Sequence, residues 1–295
     1  MGPGGYTFLG RPGIRDASAG IYLLLRVLIL VLILLALAAP AAAGGFDHST
    51  WERVLKARVN AIGEVDYAAL KANRNLDEYI RLLGESGPAN RPELFPSRAH
   101  QLAYWLNAYN AFVMKGVVDN YPTRSVRDLG ALYGFFRRKD YTAGGVRISL
   151  LNLEDDILRK QYRDPRLHFV IVCASISCPF LSRDAFTGET LEPHLERLAR
   201  EFINQRRNLT INAAANLVTL GAVFGLRDYV KDFEATGVSL LDYVRSYAGE
   251  ENRRALGALK NPKIKFYDYD WSINDPGSRA RARSALEREL AQAAR

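Results

Sequence analysis

The stretch His168-Phe-Val-Ile-Val-Cys173-Ala-Ser-Ile-Ser-Cys178-Pro179 contains both cysteines of the chain and one of its four histidines. Its apolar run, residues 169–172, is rich in β-branched side chains and predicts a buried strand over 168–173. His168 then opens this strand, Cys173 closes it, and Cys178 lies in the loop beyond. This is therefore the one place in the sequence where a nucleophile, a redox pair or a metal site could be built from soft ligands.

The two cysteines allow more than one chemistry. Cys178 is the candidate nucleophile and His168 its candidate base, provided that the chain turns sharply at residues 174–175, because a strand carries it roughly 17 Å from His168 to Cys173. Alternatively, Cys173 and Cys178 form a disulfide that closes a small loop, as an oxidising compartment favours. A dithiol redox module would lack the usual CxxC spacing. We predict no metal and no cofactor, because the His-x4-Cys-x4-Cys spacing provides no tight metal-binding knuckle.

A long helical pattern over residues 97–118 precedes this stretch and contains two asparagines among apolar side chains. Burial of Asn107 and Asn110 without partners would cost about 1–3 kcal/mol each, so both amides should be hydrogen-bonded. Either they tie neighbouring loops to the core, or Asn107 polarises a reacting carbonyl group. In a non-catalytic binding domain, Tyr104, Asn107, Asn110 and Trp271 would line the ligand pocket.

Two further positions are candidate ligand contacts. Trp271 follows the predicted last strand and could offer an aromatic platform. Arg159 could bind an anionic group of a ligand, although such a residue more often belongs to a solvated helix face.

The first 43 residues predict a targeting segment. Residues 27–39 are uninterrupted apolar positions, which is typical of the core of a secretory signal, and Ala41-Ala-Ala43 offers small residues for cleavage after Ala43. The alternative is an uncleaved membrane anchor over residues 21–39, which is close to the length that spans a bilayer. Both alternatives place the following domain outside the cytoplasm, in the periplasm or secreted.

The rest of the chain predicts one α+β domain over residues 44–276 and a basic helical tail over 277–295. The net charge of +8 favours contact with a membrane or another anionic surface through the N-terminal segment and the tail. No basic and aromatic array of the kind that binds single-stranded nucleic acid is present, so we expect no nucleic-acid partner. The expected partner is a small-molecule or peptide substrate.

Hydrophobic periodicity places helices first in the chain and strands mixed with helices after them, which is typical of α+β proteins. Hairpin-length connections predict a largely antiparallel sheet. The predicted helices cover residues 48–60, 74–84, 97–118, a segment after Ser149, 190–206, 224–233, 240–247 and a final helix near 284–287. The predicted strands are a hairpin over 141–148, the strand at 168–173, a pair at 209–212 and 217–220, and a last strand over 263–271.

Several short sequence motifs, taken together, resemble the domain-of-unknown-function family 547 over roughly residues 60–275. The motifs are Val65-Asp-Tyr67, Trp105-Leu-Asn-Ala-Tyr-Asn110, Ile157-Leu-Arg159, His168 to Pro179, and Tyr269-Asp-Trp-Ser-Ile-Asn274. The name of the family implies no established activity. In outline its architecture is similar to papain-like and transglutaminase-like folds, in which the nucleophilic cysteine begins the core helix. In this chain that helix contains Trp105 and Asn107 and no cysteine.

These observations support two functional hypotheses. The first is a thiol-dependent hydrolase or acyl-transfer enzyme with Cys178 as nucleophile, His168 as base and Asn107 as a polarising amide. The second is a non-catalytic binding domain that is stabilised by a Cys173–Cys178 disulfide. A dithiol redox module is a third alternative.

Overall fold

The structure is a computed structural model that describes residues 1–2, 5, 45–130, 133–138, 140–226, 229–278 and 280. The chain divides into two compact units, Met1–Ala43 and Gly44–Arg295, and every described helix and strand belongs to the second. None of the described helices is both long enough and apolar enough to cross a membrane. The predicted signal or anchor over 21–39 and the predicted final helix near 284–287 lie outside the described residues.

The N-terminal part of this unit is a layer of helices around one long central helix. Helices α1 (Ser49–Arg58), α2 (Tyr67–Leu70) and α3 (Arg74–Glu85) precede α4 (Arg98–Asp119). Apolar side chains of all four form one buried cluster. Local capping explains where two of them begin, since the side chain of Asn73 accepts backbone hydrogen bonds at the start of α3 and that of Ser97 does so at α4.

A hairpin and an irregular helix continue this part of the chain. The 3₁₀ turn Val126–Asp128 and helix α5 (Gly134–Arg137) lead into strands β1 (Asp140–Ala143) and β2 (Val146–Ser149), which pair antiparallel. Ser149 then caps α6 (Leu150–Asn152), which continues as a π-helix over Leu153–Tyr162. Both turn positions of the hairpin, Gly144 and Gly145, have positive φ angles, which glycine adopts without steric cost.

The C-terminal part forms a second apolar cluster around a small mixed sheet. Helix α7 (Leu191–Ile203) leads into β3 (Leu209–Asn212) and β4 (Leu217–Leu220), which are antiparallel, and β5 (Lys263–Phe266) pairs parallel with β4. Helices α8 (Tyr229–Glu234), α9 (Leu240–Tyr247) and α10 (Glu250–Ala258) lie between β4 and β5 in the chain. They supply the long connection that a parallel pair needs.

The segment that joins the two clusters is not the strand that the sequence predicts over 168–173. The structure has a 3₁₀ helix over Pro165–Phe169 and then an irregular backbone. The side chain of Asn110 supplies the hydrogen bonds that a neighbouring strand would make. Its Nδ2 donates to the carbonyl oxygen of Val170 at 3.0 Å, and its Oδ1 accepts from the amide of Val172 at 2.9 Å. Phe169 packs into the second cluster, while Ile171 packs into the first.

The α+β class is confirmed, and most predicted elements lie within a few residues of the observed ones. The predicted single, largely antiparallel sheet is instead a two-stranded antiparallel sheet and a three-stranded mixed sheet among the described residues. The last strand ends at Phe266 rather than near residue 271. Helix α10 is not predicted from the sequence, because Leu256 is its single buried residue and no apolar stripe marks it.

Candidate functional site

Four of the predicted site residues, His168, Cys173, Cys178 and Trp271, line a cavity of about 190 Å³ where the two apolar clusters meet. Its wall includes His168 from the 3₁₀ helix, both cysteines, and Tyr269 and Trp271 from the segment after β5. Apolar side chains line much of the remaining surface: Phe136, Leu151, Ile171, Val223 and Leu226. His168, Cys178 and Trp271, which the sequence indicates as candidate site residues, all line this cavity.

Hydrogen bonds from distant parts of the chain hold the loop that carries the cysteines. The amide of Asn274 donates to the carbonyl oxygen of Ala174 at 3.0 Å, and the amide of Val65 donates to the carbonyl oxygen of Asn274 at 3.0 Å. The guanidinium of Arg207 donates to the carbonyl oxygens of Ile176 and Cys178. Segments from near both ends of the described domain are therefore hydrogen-bonded to one another beside this loop.

Cys173 and Cys178 form a disulfide with their Cα atoms 6.2 Å apart. Cys178 is buried and Cys173 is half-buried. This is the state that the disulfide alternative predicts, and in it Cys178 has no free thiol. The sharp turn that the nucleophile hypothesis needs is present at Ala174, which has a φ angle of +61°.

Two hydrogen-bond donors lie against the sulfur of Cys178. The backbone amide of Cys173 donates to Cys178 Sγ at 2.9 Å, and the hydroxyl oxygen of Tyr269 lies 3.1 Å from the same atom. That hydroxyl is also 2.9 Å from Cys173 Sγ. Burial raises the pKa of Tyr269 well above the ordinary value of 10, so its phenol stays protonated and can donate.

His168 is 2 % exposed and has one ring nitrogen committed and one without a partner. Nε2 lies 2.8 Å from Asp232 Oδ2, whereas no described group hydrogen-bonds to Nδ1. Burial opposes ionisation of Asp232, but hydrogen bonds from His168 and Arg159 outweigh it and lower the pKa of Asp232 to about 2. An ionised carboxylate only accepts, so Nε2 of His168 carries a proton and donates a hydrogen bond to Asp232.

Arg159 supports this histidine from behind rather than lining the cavity. Its guanidinium donates to Asp232 at 2.6 Å and to Asp155 at 2.9 Å, and it lies over the ring of Tyr229. That ring also stacks on His168, with the two ring centroids 3.6 Å apart. Arg159 therefore positions Asp232. It does not line the cavity, where the sequence predicts a ligand contact for it.

The amides of α4 hold backbone instead of facing the cavity. Asn107 is fully buried, donates to the carbonyl oxygen of Phe186 at 2.8 Å and accepts from its amide at 3.1 Å. Asn110 holds the 170–172 backbone in the same manner. The hydroxyl of Tyr104 donates to the carbonyl oxygen of Leu83 at 2.8 Å. These three predicted site residues lie outside the cavity wall, and of the two alternatives for the asparagines the structure shows the tying of loops to the core.

The sequence does not reveal two further site residues. Asp232 is 64 positions from His168, and nothing in its local sequence distinguishes it from a surface acid on a short helix. Glu154 resembles an acid that serves a helix dipole, yet its carboxylate is 5 % exposed on the cavity wall and accepts from Tyr109 at 3.0 Å and Tyr229 at 2.5 Å. Among the residues that the structure describes, no cluster of His, Cys, Asp and Glu is suited to hold a metal ion.

Comparison with known proteins gives one match. The model of the family described as "Protein of unknown function, DUF547" matches residues 94–203. The chain thus resembles this family over α4 and the cysteine loop, whereas the Val65–Tyr67 and Tyr269–Asn274 motifs lie outside the matched segment. No curated protein and no solved structure matches the chain.

Proposed function

We propose that the chain is a thiol-dependent hydrolase or acyl-transfer enzyme in which Cys178, once its disulfide is reduced, is the nucleophile. The observation that carries this proposal is the arrangement of His168. Nε2 is held by an ionised aspartate, Nδ1 is buried without a hydrogen-bond partner among the described residues, and His168 lines the cavity that Cys178 also lines. A base that is oriented by a third group is the usual means of activating a cysteine or serine nucleophile.

The reaction would proceed in two steps. The thiol proton of Cys178 moves to Nδ1 of His168, and the thiolate attacks the acyl carbon, so that a C–S bond forms and the bond to the leaving group breaks. His168 returns the proton to the leaving group. Water, or an acceptor nucleophile, then attacks the thioester and regenerates the thiol.

The donors around Cys178 Sγ support the same role. The amide of Cys173 and the hydroxyl of Tyr269 lie within hydrogen-bond distance of the sulfur and would stabilise a thiolate more than a neutral thiol. Reduction by a dithiol reductant supplies the two electrons and two protons that convert the disulfide to this form, and the reductant is oxidised to its own disulfide.

The test is acylation by p-nitrophenyl acetate, followed by p-nitrophenolate release and by the mass of the peptide that carries Cys178. We expect the wild type to be acylated only after reduction. Cys173→Ser leaves Cys178 without a bridge and should be acylated without reductant. Acylation of Cys178→Ser to the same extent as the reduced wild type would rule out Cys178 as the nucleophile.

One observation favours a second candidate, a binding domain with a structural disulfide. The cysteines are bridged and Cys178 is buried, as in a loop that the bond merely closes. In that case neither the reduced wild type nor Cys173→Ser would be acylated, and the variant would only lose stability. A dithiol redox module would need both thiols, so Cys173→Ser would be inactive in disulfide exchange.

The proposed location is the periplasm or the exterior of the cell, with residues 1–43 as signal or anchor. The small residues at Ala41-Ala-Ala43 and the apolar run before them support it. N-terminal sequencing of the protein that a cell exports should give a chain beginning at Gly44 if the segment is a cleaved signal. An intact N-terminus in a membrane fraction would identify an anchor, and an intact N-terminus in the cytosol would contradict both.

A further inference from the structure

An exposed arginine, Arg137, lines the cavity, and we infer that the substrate carries a carboxylate next to the acyl group that Cys178 attacks. The inference rests on the proposed function and adds the class of substrate to it. Its evidence is the environment of Arg137, which ends helix α5, and of the aromatic side chains beside it.

Arg137 is an exposed cation on the cavity wall and has no carboxylate partner in the described part of the chain. It follows Phe136, which also lines the cavity, and forms no ion pair or hydrogen bond with any residue that the structure describes. Arg159 and Arg166 each pair with two or more carboxylates instead. The planar fork of a guanidinium fits a carboxylate with two parallel hydrogen bonds, so an uncommitted arginine on a cavity wall suits an anionic ligand.

A second guanidinium adds positive charge near the same cavity. Arg127 lies 5.7 Å from the ring centroid of Trp271 and, within the described parts of the chain, has no acidic partner. Trp271 lines the cavity and meets Tyr133 edge to face at 5.9 Å. One exposed guanidinium on the cavity wall and a second beside the Trp271 ring would raise the local concentration of anions.

The interior of the cavity fixes the direction in which such a substrate binds. The acid on its wall, Glu154, lies among the apolar side chains and accepts hydrogen bonds from two tyrosines. Among the described lining residues Arg137 is the one arginine or lysine, so a carboxylate is expected to bind beside it rather than beside Glu154. The acyl carbon is thus directed towards Cys178, and the charged group towards Arg137.

The experiment compares two alkylating reagents of nearly the same size, iodoacetate and iodoacetamide, on the Cys173→Ser chain at low ionic strength. In this variant Cys178 is the one thiol of the chain. Each rate constant is divided by that of N-acetylcysteine with the same reagent, which removes the intrinsic difference between the reagents. We expect the normalised preference for iodoacetate to be about tenfold and to fall as salt is added.

Arg137→Gln should abolish this preference, because the rate with iodoacetate falls much more than the rate with iodoacetamide. The matched control is Arg138→Gln, since Arg138 is the exposed neighbour of Arg137 and faces a different groove, beside Asn120 and Leu129. A preference that survives in Arg137→Gln, or that falls equally in Arg138→Gln, overturns the inference. An iodoacetamide rate no higher than that of N-acetylcysteine, and insensitive to His168→Gln, would instead overturn the proposed function.

Discussion

At the scale of single residues, the fold depends on amides that replace missing secondary structure. Asn107 and Asn110 are three positions apart on α4 and therefore share one face. Each binds both a carbonyl oxygen and an amide of a passing segment, Phe186 in one case and residues 170–172 in the other. The sequence indicates that these amides need partners but does not say which segments they hold.

Replacement of Asn110 should therefore be costly. Asn110→Ala leaves the carbonyl oxygen of Val170 and the amide of Val172 buried without partners, and we expect a loss of about 2–4 kcal/mol in the free energy of unfolding. Urea denaturation measures it. The control is Asn75→Ala, an exposed asparagine in the first turn of α3, which should change stability by less than about 0.5 kcal/mol. Similar values for the two variants would show that the 170–172 segment finds other partners.

Asp232 gives a prediction about activity. Asp232→Asn keeps an acceptor for His168 and Arg159 but removes the charge that stabilises the imidazolium formed when His168 takes the thiol proton. We expect acylation of the reduced chain by p-nitrophenyl acetate to slow by at least about tenfold. Asp242→Asn, an exposed aspartate paired with Arg245 on α9, should leave the rate unchanged. Equal rates for Asp232→Asn and the wild type would exclude Asp232 from the mechanism.

At the scale of elements, hydrophobic periodicity predicts the helices and hairpins whose apolar faces are buried. Strands β3 and β4 occur at the residues predicted, because alternating side chains and a polar turn are local signals. The predicted strand at 168–173 is wrong for a non-local reason. Its apolar residues are buried as expected, but their hydrogen-bonding partner is a side chain on α4 rather than another strand. A single sequence contains no local signal of that exchange.

The N-terminus of α1 provides a pH-dependent prediction. Burial lowers the pKa of His48 from 6.5 to about 4, and its Nδ1 lies 2.7 Å from the hydroxyl of Tyr79. In the unfolded chain His48 is therefore protonated below pH 6.5, whereas in the folded chain it is protonated only below about pH 4. The contribution of neutral His48 to stability is complete above pH 6.5 and is lost as the pH falls towards 4.

We expect the free energy of unfolding to fall by about 2–3 kcal/mol over this range on account of His48. His48→Gln, which can still accept from Tyr79, should remove that part of the decline in urea denaturation series. Burial likewise lowers the pKa of His194 on α7 to about 4. The free energy of unfolding of the double variant with His194→Gln should therefore depend even less on pH. An unchanged slope in His48→Gln would mean that this residue is protonated in the fold.

At the scale of the whole molecule, the cavity arises where two apolar clusters meet, and no local pattern predicts this meeting. The sequence identifies His168, Cys178 and Trp271, because the motifs that contain them are distinctive in composition. It does not identify Asp232 or Arg137, because acids and arginines on helices are common and only their placement gives them a role. The predicted places of Asn107, Tyr104 and Arg159 rested on unusual composition or on nearness in sequence, neither of which fixes a position on the wall.

The reduced chain should keep its fold. The Cys173–Cys178 bond closes a loop of a few residues, and the loop-entropy relation gives a contribution of about 2 kcal/mol for such a short loop. The two apolar clusters do not depend on it, so thiol reduction should lower the urea midpoint modestly and leave a cooperative transition. Loss of the transition on reduction would mean that the bond is required for folding, and the thiol form that the proposed function needs would then not exist.

The hydrogen bonds between the cysteine loop and segments far from it in sequence have a consequence for biosynthesis. Val65 is made early, Ala174 in the middle and Asn274 near the end of the chain, and the backbone bonds that join them cannot form until the last has emerged. The hydroxyl of Tyr269 reaches the two sulfurs only then. During translation the two sulfurs thus lack the contact with the phenol that they have in the folded chain, and the proposed thiol chemistry would begin only after residues 269–274 have been made.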